Sequence, residues 1–324
     1  MDSIKKPYSV IDTAKAICIL AVVLGHAGVF SRFFYFFHLP VFFFLNGLLI
    51  HTNYSVKDFV VKRIKSLYVP YIITMFICAL LFDRANMMHI KYIVKILLFD
   101  GSVYGLGAMW FIPCLFINTI IAFLIRKFLN KTTIKIIIVC FFIVTAIIVG
   151  KYKPVWYYYL HLIPYIQLIY CIASFADLKI LESFFQDKKR CMGICLLSFF
   201  ILIILYAFSN IQIDLVNLKL IHPVLWLLLL IVDICFVLSL SSLLPDIVPL
   251  KVIGGASFYI MALHFLCFSV INLLVATIKN AQFDAEYFYT YSILFPQFKV
   301  GYILAGILIP CAIKNLINRI MKNE

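Results

Sequence analysis

Residues 11–27 read IDTAKAICILAVVLGHA, an apolar run interrupted by three ionisable side chains, Asp12, Lys15 and His26. Such groups are costly in a membrane-length segment unless they face a protein interior or a wet cavity. Asp12 and Lys15 stand three residues apart, so a helix can pair them on one face. Lys15 and His26 are eleven residues apart. At about 100° and ~1.5 Å per residue they share a face and lie ~16 Å apart along the axis. A cation near one membrane surface and a deeper imidazole therefore look into the same interior. With an ordinary pKa of about 6.5, that imidazole can exchange a proton near neutral pH. The alternative is a snorkelling lysine and a histidine that merely bonds a neighbouring helix.

Four further stretches carry candidate groups. Residues 33–50, FFYFFHLPVFFFLNGLLI, place His38 just before Pro40 and follow with Asn46 and Gly47. Asn46 offers an interhelical hydrogen bond and Gly47 a close helix approach, while the phenylalanines read as packing and lipid contact. Residues 61–71, VKRIKSLYVPY, cluster Lys62, Arg63 and Lys65. They serve either as topology anchors or as a phosphate clamp, since both cation types form charge-assisted bonds to phosphate. Residues 105–116, GLGAMWFIPCLF, put Trp110 at a helix start, as an interface anchor or a pocket wall. Residues 254–265, GGASFYIMALHF, set Ser257 and His264 two turns apart on one face. His264 is either a second site residue or one satisfied by a neighbouring helix. The aromatic, acidic segment 281–291 is a loop that could contact a sugar or simply sit at the interface.

The elements that must position these groups follow from composition. Hydrophobic residues make up 65% of the 324 and charged residues 13%, with a mean hydropathy of +1.07. A soluble domain averages roughly 45–50% apolar and about 25% charged residues. The chain therefore reads as an all-α, polytopic transmembrane bundle of about ten helices in one domain spanning 1–324, with no fused soluble domain. Expected helices run near 10–29, 33–51, 68–82, 107–125, 133–150, 155–175, 191–208, 220–243, 252–278 and 292–313, with an interfacial segment near 88–99. The net charge of +14 would suggest nucleic acid for a soluble protein. Here the basic residues fall in short clusters between apolar runs, so membrane topology accounts for them and no nucleic-acid partner is expected. One set of connections carries about twice as many Lys and Arg as the other, which predicts cytoplasmic termini. The ten cysteines are scattered through apolar runs, as small buried hydrophobes rather than a zinc or disulfide framework, and no metal is expected. Charges within the first run and many later spans argue against a removable signal peptide.

Taken together, IDTAKAICILAVVLGHA, FHLPVFFFLNGLLI, KRIKSLYVPY, MWFIPCLF and GASFYIMALHF resemble, in that order, acyltransferase family 3. This is the family of bacterial integral-membrane O-acyltransferases, and the likeness falls within its fucose 4-O-acetylase-like group. Lys15 and His26 match the family's basic residue, ten intervening residues and histidine. Lys62 and Lys65, with Arg63 between them, hold the spacing of its basic pair. The resemblance implies transfer of an acyl group, acetyl most often, from cytoplasmic acetyl-CoA to a hydroxyl of a cell-surface polysaccharide or its lipid-linked sugar precursor. It implies His26, with Lys15 and Asp12, as the catalytic group and Lys62, Arg63 and Lys65 as the coenzyme A phosphate contacts. His38, Asn46, Trp110 and His264 are then the candidate acceptor contacts, and the location is a bacterial plasma membrane. Whether His26 acts as general base or transient acyl carrier stays open. The competing class is a transporter or flippase for a lipid-linked glycan that uses the same buried charges as a pathway, and a third is a receptor or structural membrane subunit.

Overall fold

A computed structural model describes residues 7–100, 106–129, 131–153, 157–176, 183–209, 222–279 and 293–320, with a few single positions between 181 and 218. The described residues are helical, without a strand. Helices α1 (Pro7–His26) and α2 (Ser31–Leu48) carry the first motif residues. Then come α3 (Val56–Arg63), a π-helical turn (Ile64–Tyr68) and α4 (Val69–Phe82). Two short helices, α5 (Arg84–Met87) and α6 (Ile90–Leu97), occupy the segment expected to be interfacial. The chain continues through α7 (Phe111–Phe128), α8 (Thr132–Tyr152) and α9 (Ile163–Phe175). It then forms α10 (Lys188–Phe208), α11 (Pro223–Leu243), α12 (Val248–Gly255), α13 (Ser257–Ile278) and α14 (Lys299–Ile320). Ten of the described helices, namely α1, α2, α4, α7 to α11, α13 and α14, have thirteen or more residues.

Several expected boundaries differ: the helix placed at 292–313 runs Lys299–Ile320, the α-helix placed at 155–175 begins at Ile163, and two further differences concern continuity. The helix placed at 68–82 begins twelve residues earlier, and α3, the π turn and α4 form one apolar segment, Val56–Leu81. Pro70 lies inside this segment. A proline inside a helix has no N–H to donate and crowds the carbonyl four residues back. The wider turn before it, in which Val69 N–H reaches back to Ile64 O, accommodates that misfit. The helix expected at 252–278 is instead broken at Ala256, where α12 ends in Gly254–Gly255 and α13 begins.

Among the described residues, seven segments are long and apolar enough to cross a membrane: Val56–Leu81, Phe111–Phe128, Thr132–Tyr152, Lys188–Phe208, Pro223–Leu243, Ser257–Ile278 and Pro296–Ile320. Their outer faces confirm the solvent. On α10, Leu196, Leu197, Phe199 and Phe200 are exposed, and on α8 Ile136, Ile137, Phe141 and Val144 are exposed. Contiguous apolar surface of this kind suits lipid and not water. The protein is a multi-pass membrane protein.

The chain divides into two compact units. Unit 1 comprises Met1–Phe42, Lys179–Gln212 and Ile231–Glu324, and unit 2 comprises Phe43–Leu178 and Ile213–Leu230. In unit 1, α13 packs along α14, and α1 packs against α12, α13 and α14. Small residues set these distances. A β-carbon on Gly254 would fall 2.2 Å from the backbone oxygen of Asp12, so α12 touches the main chain of α1 directly. A β-carbon on Gly306 of α14 would meet Phe268 at 3.0 Å, Val23 at 3.3 Å and the β-carbon of His264 at 3.5 Å. Gly306 is where α1, α13 and α14 converge. In unit 2, α7 packs on α9 and α8 on α9, with the Tyr165 hydroxyl donating to Ala146 O at 2.7 Å.

Gly254→Ala should therefore force α12 off α1 and destabilise the protein by about 1–3 kcal/mol, the usual cost of overpacking. Gly193 lies in α10 with no atom within 4 Å of its would-be β-carbon. Gly193→Ala should leave the thermal midpoint in detergent unchanged or slightly raised, because alanine is the better helix former. Equal midpoints for the two variants would contradict the close approach at Asp12.

Candidate active site

The α1 helix ends on His26, and the four residues that follow turn the chain into α2. The turn uses Gly28 at φ +71°, a conformation glycine adopts without penalty, and is tied down by Ser31 Oγ donating to Gly25 O at 2.7 Å. It brings Tyr35, in the second turn of α2, back to His26, with the phenol oxygen 3.2 Å from His26 Nδ1. Gly25 makes room for that ring, since a β-carbon there would lie 3.0 Å from it.

From α13, the ring of His264 stacks on His26 with centroids 5.3 Å apart and planes inclined by 28°. Phe265 closes the group, with its centroid 4.6 Å from His26 and 4.3 Å from His264. His264 is fully buried. Its Nδ1–H donates to Ile260 O at 2.9 Å and Met261 O at 3.0 Å, which fixes that nitrogen as the donor of a neutral ring. The opposite nitrogen, Nε2, then holds a lone pair, and among the described residues it has no partner. A buried acceptor left unpaired is expensive, so this atom is ready to receive a donor. His26 is half-buried rather than sealed. Three turns away on the same helix, Lys15 Nζ lies 3.3 Å from Asp12 Oδ1, with both side chains partly exposed.

The remaining candidates have other surroundings. His38 is buried and donates from Nδ1 to Phe34 O at 2.7 Å, with its ring 5.1 Å from that of Tyr35. Its helix thus supplies a partner, and its ring lies beside that of Tyr35. Asn46 and Trp110 belong to unit 2. Asn46 Oδ1 accepts from Thr119 Oγ1 at 2.9 Å and from the Tyr170 hydroxyl at 2.8 Å, a bonding triangle that ties α2 to α7 and α9. Trp110 is buried with its ring 5.3 Å from Tyr159, so it is neither exposed nor free-standing. Of the basic cluster, Arg63 is part-buried with its guanidinium 4.9 Å above the Phe59 ring. Lys62 donates to the Tyr54 hydroxyl at 3.1 Å, and Lys65 is exposed beside it in an open groove with Asp58, Val61 and Ser66. Among the described residues, no three His, Cys, Asp or Glu side chains group as a metal site. Segment 281–291 lies outside the described residues.

Sequence reasoning passed over two groups. Tyr35 stands nine residues beyond His26 in a run of phenylalanines, and only its hydroxyl sets it apart. Asp233 is buried in the middle of α11, with one carboxylate oxygen sealed and without a partner among the described residues. A lone aspartate in an apolar 21-residue helix was the available signal.

An all-helical membrane protein with an imidazole pair set between packed helices is the class that fold and site define. The model of the acyltransferase domain of family 3 matches residues 8–318. The chain belongs to that family and is a membrane acyltransferase. No curated protein and no solved structure matches it.

Asn46→Ala should leave the Thr119 and Tyr170 hydroxyls bonded only to each other at 2.9 Å, stranding one hydroxyl proton at about 1–3 kcal/mol when buried. Asn46→Asp, which keeps an oxygen for both, should lose much less. Thermal unfolding in detergent checks this, and an alanine variant as stable as the parent would release Asn46 from a structural role.

Proposed function

We propose that the protein transfers an acyl group, acetyl being favoured, from cytoplasmic acyl-CoA to a hydroxyl of a cell-surface polysaccharide or its lipid-linked sugar precursor. The observation that carries this reading is the half-buried His26, held at Nδ1 by Tyr35 and backed by the ring of His264. In the productive tautomer, His26 Nδ1–H donates to the Tyr35 oxygen and Nε2 keeps its lone pair. Nε2 takes the proton of the acceptor hydroxyl as that oxygen attacks the thioester carbonyl. Collapse of the tetrahedral adduct breaks the carbon–sulfur bond, and the departing thiolate takes the proton back from the imidazolium. Tyr35 positions the base, much as a third group orients the histidine in other base-assisted transfers. Lys15, paired with Asp12, keeps a fixed charge on the same helix face. Lys62, Arg63 and Lys65 are assigned to the donor phosphates and His38 and His264 to the acceptor; Asn46, whose oxygen is taken by two hydroxyls, and Trp110 keep that assignment on the family resemblance alone. The fucose 4-O-acetylase-like likeness favours a sugar acceptor.

The termini are assigned to the cytoplasm of a bacterial plasma membrane on the charge bias between connections. A reporter fused after Glu324 that is active only outside the cytoplasm would reverse this orientation.

A general base typically contributes 10²–10⁴-fold, so His26→Gln and His26→Ala should lose about that much in kcat while folding normally and binding donor. Tyr35→Phe removes one hydrogen bond of about 0.5–1.5 kcal/mol, hence about a two- to tenfold loss. The assay is acyl transfer by the purified protein, with the mass of the surface glycan from cells with and without it as the check on the acyl group. Near-parental transfer by His26→Gln would end the catalytic assignment, and a protein that moves glycan without consuming thioester would be a transporter.

A further inference from the structure

Two basic pairs meet in unit 2, Lys62–Arg63 at the end of α3 and Arg126–Lys127 at the end of α7, two helices that pack on each other. Their scaffold is aromatic. Phe59 and Phe123 stack face to face at 3.9 Å with planes 6° apart. The Arg63 guanidinium lies 4.9 Å above Phe59, and Lys127 Nζ lies 5.7 Å from the centre of Phe123. The hydrogen bonds of Arg126, Lys127 and Lys62 go to neutral groups. Arg126 donates from Nη1 to Gly47 O at 2.7 Å and from Nη2 to Tyr170 O at 3.2 Å. Lys127 donates to Thr52 O and Tyr54 O, and Lys62 to the Tyr54 hydroxyl. The Nε atoms of both Arg63 and Arg126 are sealed from solvent and, among the described residues, have no hydrogen-bond partner. Among the described residues no ion pair reaches any of the four. The nearby carboxylate, Asp58, is engaged by Ser55 Oγ at 2.6 Å.

A snorkelling topology anchor extends its charge into the headgroups and needs no scaffold. Here Arg63 is part-buried over the Phe59 ring and Arg126 is part-buried on two carbonyls, neither with an ion pair among the described residues, and burying unpaired charge is costly. An anion removes that cost, and planar guanidiniums match phosphate oxygens two at a time.

We infer that Arg126 and Lys127, together with Lys62 and Arg63, form a binding site for a diphosphate group. Naming that diphosphate as part of the nucleotide of an acyl-CoA donor rests on the function proposed above; the anion site itself does not. Lys65, exposed in the groove beside Lys62, is peripheral to it.

The test is titration of the purified protein in nanodiscs of neutral lipid with inorganic pyrophosphate and, separately, with coenzyme A. Both should bind, more weakly as salt rises. Arg126→Gln and Lys127→Gln should each weaken both ligands about tenfold or more, and Arg126→Lys should recover part of the loss. Lys127 bonds only backbone carbonyls outside the helix it sits on, so its variant remains informative if Arg126→Gln fails to fold. Lys251→Gln, at a cation already paired with Asp246, should change nothing. Pyrophosphate binding that responds to these variants without coenzyme A binding would support the anion site and refute the acyl-CoA reading. Coenzyme A binding that none of the variants weakens would leave the acyl-CoA reading standing and overturn this site. Variants that alter only the retention of phosphatidylglycerol, with no soluble ligand bound, would make the occupant a lipid headgroup and overturn it as well.

Discussion

Unit 1 depends on the absence of one side chain, at Gly306. Three helix backbones can bring two imidazoles face to face only if they approach more closely than ordinary side chains allow. At Gly306 the α14 backbone lies against Phe268, Val23 and the β-carbon of His264, so α1 and α13 both register on it. Gly254 does the same for α12 against Asp12. Between lipid-solvated helices there is little hydrophobic drive to associate, and close packing at small residues takes its place. The pairing of His26 with His264 follows from that contact.

The same solvent explains how the histidines are wired. With no water in the hydrocarbon region, a buried ring N–H must find its acceptor in the protein. His38 and His264 both donate from Nδ1 to the carbonyl four residues back, so each is fixed by its own helix. His26, the last residue of α1, has the phenol of Tyr35 at the corresponding nitrogen. A hydroxyl both donates and accepts, so it permits either tautomer of the ring, whereas a backbone carbonyl permits one. That difference distinguishes the half-buried histidine from its two neighbours.

In unit 2 the cations are held by π-faces and carbonyls, and the buried hydroxyls by amide oxygens. Asn46, Thr119 and Tyr170 satisfy one another, and Gln167 donates to Asn118 at 3.0 Å. These contacts bind α2, α7 and α9 without apolar burial as the discriminating force. Asn46, read from sequence as an acceptor contact, therefore has its acceptor oxygen already occupied by two hydroxyls.

Composition and apolar run length determined the class, because a chain with 65% hydrophobic residues cannot cover itself with polar surface. They also placed most of the long helices to within a few residues, though the last runs Lys299–Ile320 where 292–313 was expected. Spacing alone put Lys15 on the face of His26, since both lie on one helix and helical periodicity is local. It failed where continuity was decided by backbone bonding, as at Pro70, where a π turn joins what sequence separates, and at Ala256, where two glycines part what hydropathy joins. Partners from different helices were beyond it. Tyr35 resembles its phenylalanine neighbours until the turn at Gly28 aims it, and His264 lies more than two hundred residues from the ring it stacks on. Arg126 and Lys127 read as ordinary flanking charge, and only the Phe59–Phe123 stack sets them beside Lys62 and Arg63. Local periodicity is written in the chain, but which faces meet depends on where small residues let backbones touch, and that is a property of the packed helices together.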